Sequence, residues 1–183
     1  LVGFMESHDE ERIMYLNRNR GESSGNYMIR DLNTALDRVK LTAAFFMSIP
    51  GPKMLWQFQE LGYDYSIDFN DRLGPKPVRW DYYNDEARKN LFDIFSALAE
   101  LKKSYPAFSS DNFSIYESGE TKRLNIRHQD MDVVVLGNFD LLPRTIDPNF
   151  TGTGTWYEFF SGSRADVTET GRNTPVSLKQ GEY

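Results

Sequence analysis

Near its start the chain carries Phe4-Met5-Glu6-Ser7-His8-Asp9-Glu10-Glu11-Arg12, which gathers an imidazole, several carboxylates and a guanidinium within a few residues. They stand directly behind the apolar run Leu1 to Met5, which reads as a short buried strand. In α/β architectures built on parallel strands, catalytic groups stand at the C-terminal strand ends, because the loops there converge on one mouth. A strand emptying into His-Asp fits that arrangement. The plainer alternative is an acidic turn opening a helix, since carboxylates favour the positive end of the helix dipole. Metal ligation by His8, Asp9 and Glu11 is a third chemistry that the residue types allow. The chain has only one other histidine, His128, far along the sequence, which argues against zinc.

Composition narrows the function classes. A net charge of −6 and a pI near 5.0 leave no cationic face for nucleic acid. The absence of cysteine excludes disulfides and thiolate metal sites without assigning a compartment. No apolar run approaches the roughly 20 residues of a membrane span, and no basic, apolar leader opens the chain. A 39% hydrophobic content with 14% aromatics suffices for a packed core. Leu1 to Met5 opens inside an apparent strand, and Ser177 to Tyr183 stops as another begins. The expectation is a piece of a longer polypeptide.

The elements that must position the charged segment alternate in the first part of the chain. After the opening strand and a polar loop through Gly21 to Gly25, Leu32, Leu36, Val39 and Ala43 share one face of a helix reaching Met47. Asn33 is its expected N-cap, and Ile49-Pro50-Gly51-Pro52 ends it. Met54 to Phe58 is predicted as a second buried strand that empties into Gln59 and Glu60. A loop rich in Asp, Asn, Gly and Pro follows from Gly62 to Tyr83. A helix over Asp85 to Ser104 then carries the stripe Ala87, Leu91, Ile94, Phe95, Leu98 and Leu101. Strand, helix, strand, helix implies parallel pairing.

Beyond Phe108 the period changes to two. Runs at 112–116, 123–127, 132–138, 155–160 and 174–178, separated by turn residues, predict an antiparallel all-β half. Leu141 to Gly154 is expected to be an exposed loop. Trp156, Tyr157, Phe159 and Phe160 are expected to divide between a packed face and an outward one.

Four motifs in order now carry a resemblance. Phe4-x-x-Ser7-His8-Asp9, then Ile49-Pro50-Gly51-Pro52 leading into Gln59-Glu60-x-Gly62, then Lys76-Pro77-Val78-Arg79-Trp80, then Leu101-x-x-Ser104-Tyr105-Pro106-Ala107-Phe108 together resemble the last quarter of an α-amylase family glycoside hydrolase. The resemblance implies an α/β fold. Residues 1–107 would form the last βαβα units of a TIM-type (β/α)8 barrel, strands seven and eight with their helices. Residues 108–183 would form the all-β antiparallel sandwich called domain C, truncated. Ser7 stands where the family usually has Asn, and Phe58 where Gly usually precedes Gln-Glu.

What the resemblance implies for chemistry follows from retaining glycoside hydrolysis, whose oxocarbenium-like transition state needs paired carboxylates and strong hydrogen bonds to sugar hydroxyls. Asp9 would be the transition-state-stabilising carboxylate, and His8 would bind substrate beside it. Glu6, Arg12 and Trp80 are further candidates for substrate contact, Arg12 also as a brace for the Asp9 loop. Glu10 and Glu11 are expected in a helix-opening turn, and Glu60 as a group that orients loops. The family's nucleophile and acid/base lie upstream, so the fragment alone is expected to be inactive. The expected partners are an α-glucan oligo- or polysaccharide and the rest of the parent chain, with self-association of the fragment as a substitute. Calcium is a cofactor of the full-length protein that the resemblance allows, and the parent resembles exported bacterial saccharolytic enzymes. Branching or transglycosylating activity, or a non-catalytic carbohydrate-binding module, are the alternatives.

Overall fold

In the computed structural model, which describes residues 1–183, the chain divides into two compact units, 1–104 and 105–183. Unit 1 is built on a parallel pair. Strand β1 (Gly3–Phe4) lies against β4 (Lys53–Met54), with Gly3 opposite Lys53 and Phe4 opposite Met54. Between them the chain forms helix α1 (Ile13–Arg20), the hairpin strands β2 (Ser23–Ser24) and β3 (Tyr27–Met28), and helix α2 (Leu32–Ser48). Helix α3 (Glu86–Ser104) follows a long loop.

The two strands are shorter than the apolar runs that predicted them. Each has a single partner, and the backbone turns sharply after Trp56: Gln59 N–H returns to the Trp56 carbonyl, and Phe58 takes a left-handed conformation at φ 61. Phe58 is consequently buried against Tyr63 and Trp80, not displayed on an open strand. Val2, Phe4 and Leu55 remain exposed.

The helices form where period and punctuation agree. Ala35, Leu36, Val39, Ala43, Phe46 and Met47 of α2 pack on Leu91, Phe95 and Leu98 of α3, with Met14 of α1 closing the cluster. Pro50 forces Ile49 out of the helical region, to ψ 131, and α2 stops there. Its N-cap is Asp31, and Asn33 lies inside the first turn. Asp85 caps α3 by accepting the Arg88 N–H at 3.0 Å.

Unit 2 holds small antiparallel sheets. β5 (Phe113–Tyr116), β6 (Thr121–Ile126) and β7 (Val133–Asn138) form one. β8 (Arg144–Ile146) pairs with β11 (Val176–Leu178), and β9 (Gly154–Tyr157) with β10 (Arg164–Val167). The segment 141–154, expected to be a loop throughout, thus contains a strand that buries Ile146. Asn138 is fully buried and donates its amide to the carbonyls of Leu142 at 2.8 Å and Lys179 at 2.9 Å, tying β7 to the chain end. Trp156 turns inward against Phe150, while Tyr157, Phe159 and Phe160 face outward.

Candidate functional site

The turn after β1 is held from beneath by a buried ion pair. Arg12 Nη1 donates to Glu6 Oε2 at 3.1 Å, and both side chains are almost wholly removed from solvent. Glu6 Oε1 also accepts the Ile13 N–H at 2.9 Å, so this carboxylate, seven residues upstream, does the work of an N-cap for α1. Burial pushes the Glu6 carboxyl above its usual range, with Arg12 and the Ile13 amide opposing the shift. The Arg12 guanidinium lies between the rings of Trp56 and Tyr63, 5.8 and 4.8 Å from their centroids, and donates to the Gln57 carbonyl at 3.1 Å. Glu6 and Arg12 therefore face each other beneath the turn, not a ligand, because each is the partner that makes the other's burial tolerable.

Above this pair, His8 and Asp9 project into solvent. His8 Nε2 lies 3.2 Å from Asp9 Oδ2, and their side chains are 74% and 65% exposed. Ser7 Oγ accepts the Asp9 N–H at 3.0 Å and is bonded in turn to the Glu10 carboxylate. The His8 ring sits 6.0 Å from Trp56, the residue whose other neighbour is Arg12. Trp56 is thus half-buried, in place of the full core position its sequence context suggested.

Asp9 has a partner that nothing nearby in sequence announces. Arg72 Nη2 donates to the Asp9 carbonyl at 3.0 Å and lies 3.4 Å from its Oδ1. Glu11 fastens the same long loop: its carboxylate accepts from Ser66 Oγ at 2.6 Å and from the Ile67 N–H at 3.0 Å. Glu11 is therefore a long-range tie and not a residue of a helical first turn, since α1 begins two residues later. These contacts bridge more than fifty residues of chain, so only a fold-level match carries a signal for them.

The base of that loop is gripped by Arg88. Its Nη1 donates to the carbonyls of Leu61, at 3.0 Å, and Gly62, and its Nη2 pairs with Asp64 at 2.8 Å. Tyr82 lies flat beneath the Arg88 guanidinium, 3.7 Å from ring centroid to Cζ, and donates its hydroxyl to Asp64 at 2.5 Å. Tyr63 Oη reaches across to the Pro77 carbonyl at 2.7 Å. Trp80, by contrast, is 72% exposed and meets Phe58 edge to face at 4.8 Å. It shares a groove of about 470 Å³ with Trp56, Glu60 and the side of α3. Glu60 is half-buried there, and desolvation raises its carboxyl above the usual range.

No group of three or more His, Asp or Glu side chains is arranged to hold a metal ion. His8, Asp9 and Glu11 diverge, Glu11 toward Ser66 and the other two toward solvent. The calcium that the resemblance allows has no carboxylate cage within this chain. No helix is long and apolar enough to cross a membrane.

No protein-family model matches the sequence, and no curated protein does. Solved structures do match. AmyP in complex with maltose aligns with a TM-score of 0.69 at 16% identity, over 98% of this chain and 39% of that one. The α-amylase of Geobacillus thermoleovorans complexed with acarbose gives 0.71 at 17%, over 99% and 37%. The type III pullulan hydrolase of Thermococcus kodakarensis gives 0.64 at 22%, over 97% and 28%. The chain spans less than two-fifths of the length of each. Across nearly all of its own length, its fold is similar to part of the fold of α-amylase family enzymes.

Proposed function

We propose that the chain forms one wall of the active site of an α-glucan-active, retaining glycoside hydrolase of the α-amylase type. On this reading β1 and β4 are the seventh and eighth strands of a (β/α)8 barrel, and unit 2 is the sandwich that follows. The observation that carries it is the His8–Asp9 pair, open to solvent on a turn leaving a strand in parallel register with its neighbour, above a buried pair that fixes the turn.

The chemistry is electrostatic. As the glycosidic bond breaks, positive charge develops on the sugar ring, and hydrogen bonds to its hydroxyls strengthen. Asp9 accepts from the hydroxyls at C2 and C3, and His8 donates to them. Arg72 on the Asp9 carbonyl and the Asp9 N–H donated to Ser7 Oγ fix the Asp9 backbone before substrate arrives, and Arg72 also lies 3.4 Å from its Oδ1, which limits the reorganisation needed. Trp80 offers an exposed indole face for sugar stacking. Neither His8 nor Asp9 performs the covalent step. Within the same segment Glu6, Glu10 and Glu11 are engaged by Arg12, Ser7 and Ser66.

In the full-length protein, Asp9→Ala is expected to lower kcat on maltodextrin by about a thousandfold or more, while the unfolding midpoint stays close to wild type because the side chain is exposed. Near-normal turnover in that variant would overturn the assignment. The 183-residue chain alone is expected to release no reducing sugar from maltodextrin.

A further inference from the structure

Unit 2 contains a polar cleft that the proposed reaction does not use. It opens beside β5 and β6, has a volume of about 270 Å³, and is walled in part by Asn112, Phe113, Ser114, Arg127, Phe150 and Arg172. Two guanidiniums converge in it. Arg127 Nη2 donates to the Thr151 carbonyl at 2.7 Å, and Arg172 Nη2 donates to the same oxygen at 3.2 Å. Two cations sharing one neutral acceptor repel each other, and a bound anion relieves that repulsion.

The surroundings leave that place open. No Asp or Glu lines the cleft. The nearest carboxylate on Arg172 is Glu169, at 3.5 Å and 77% exposed, where pairing is weak. Asp132, in the hollow beyond Arg127, is engaged by Thr151 Oγ1 and the His128 N–H. Each guanidinium has five N–H donors in a planar fork, a geometry that matches oxyanions. The Arg127 side chain commits a donor to Thr151 alone, whereas Arg172 also holds the Phe150 carbonyl through Nε at 2.9 Å. In a chain of net charge −6, this cleft is a local reversal of sign.

We propose that the cleft is a binding site for a phosphate group, with Arg127 and Arg172 as its charged donors and Asn112 and Ser114 as neutral ones. The group can belong to a sugar phosphate or be the free ion. Phe113 supplies an apolar wall against which the rest of an ester would lie.

The test is a ¹H–¹⁵N NMR titration of the 183-residue chain at constant ionic strength with inorganic phosphate, glucose 6-phosphate and maltose in separate arms. Saturable shifts at residues 112–114, 127, 149–151 and 172 are expected with the two phosphates and not with maltose. Tighter binding of glucose 6-phosphate assigns the ester, and equal binding assigns the free ion. Arg127→Gln and Arg172→Gln are each expected to weaken phosphate binding by roughly tenfold. Arg172 also braces the 150–151 backbone, so the exposed Arg127 is the decisive variant if Arg172→Gln fails to fold. Shifts equal with maltose, no saturation with either phosphate, or unchanged affinity in a folded Arg127→Gln chain would each overturn the proposal.

Discussion

Glu6 and Arg12 illustrate how much a single buried pair can govern. Removing one partner leaves the other charged, desolvated and unpaired, which costs about 3 kcal/mol or more. Glu6→Gln is therefore expected to lower stability by about 3 kcal/mol in denaturant unfolding, and Glu6→Gln with Arg12→Met should recover part of it. The recovery stays incomplete because Arg12 also holds the Gln57 carbonyl and lies against the Trp56 and Tyr63 rings. A second residue-scale expectation concerns Lys102. Burial, with Lys53 nearby, brings its ammonium down to about 8 from an ordinary 10.5. Between those two values the unfolded chain keeps a proton that the folded chain has released, so stability rises with pH. The contribution is fully present above about 10.5 and is lost as pH falls through about 8. Lys102→Met should flatten that rise in urea melts recorded across the window. At this scale, the sequence made the cluster at 6–12 visible but not its division of labour. Which charges lie beneath the turn and which lie above it depends on Trp56, Tyr63 and Ser66, all supplied by distant chain.

Among the elements, legibility follows pattern strength. Helices α2 and α3 were readable from their stripes and from Pro50 and Asp85 at their ends. α1 was anticipated only as an opening turn, because Ile13–Arg20 is rich in polar residues and buries Met14 alone. β8 and β10 were missed, since Arg144-Thr145-Ile146 and Arg164 to Val167 are short, mostly exposed and charged at their starts. The tight turn that follows β4, from Trp56 to Tyr63, rests on two left-handed residues, Phe58 and Gly62. Phe58 occupies the place where the resembled motif carries glycine, and there the strain and the packing oppose each other. Phe58→Gly would relieve about 1 kcal/mol of backbone strain but forfeit a buried aromatic worth about 3–5 kcal/mol. A net loss of roughly 2–4 kcal/mol in thermal unfolding is expected, and a stabilised variant would contradict the packing described for Phe58. At Gly62, φ is +65 and an added Cβ would come within 2.5 Å of Leu36 Cδ2. Gly62→Ala should accordingly destabilise more than an alanine at the unhindered Gly25, even though both are left-handed.

For the whole molecule, the unresolved tension lies at the parallel pair. Two strands leave a free edge on each side, and Val2, Phe4 and Leu55 stand exposed beside them. The 183-residue chain is expected to associate with itself as its concentration rises, and light scattering after size exclusion reads this directly. Val2→Glu with Leu55→Glu should shift the population toward monomer. A wild-type monomer at every concentration would show that these side chains need no cover. The enzymes of similar fold have more than half their length outside the match.

The long loop between residues 62 and 83 is moored at several posts. Arg88 grips its beginning, Glu11 holds Ser66 and Ile67, and Tyr63 Oη clasps Pro77 near its far end. The stretch between Asp68 and Lys76 therefore hangs from fixed supports like an interchangeable cassette, with Arg72 its link to Asp9. Grafts of other lengths or sequences there can reshape the rim beside His8 and Asp9 while the scaffold beneath stays intact, provided an arginine is kept where Arg72 now reaches back.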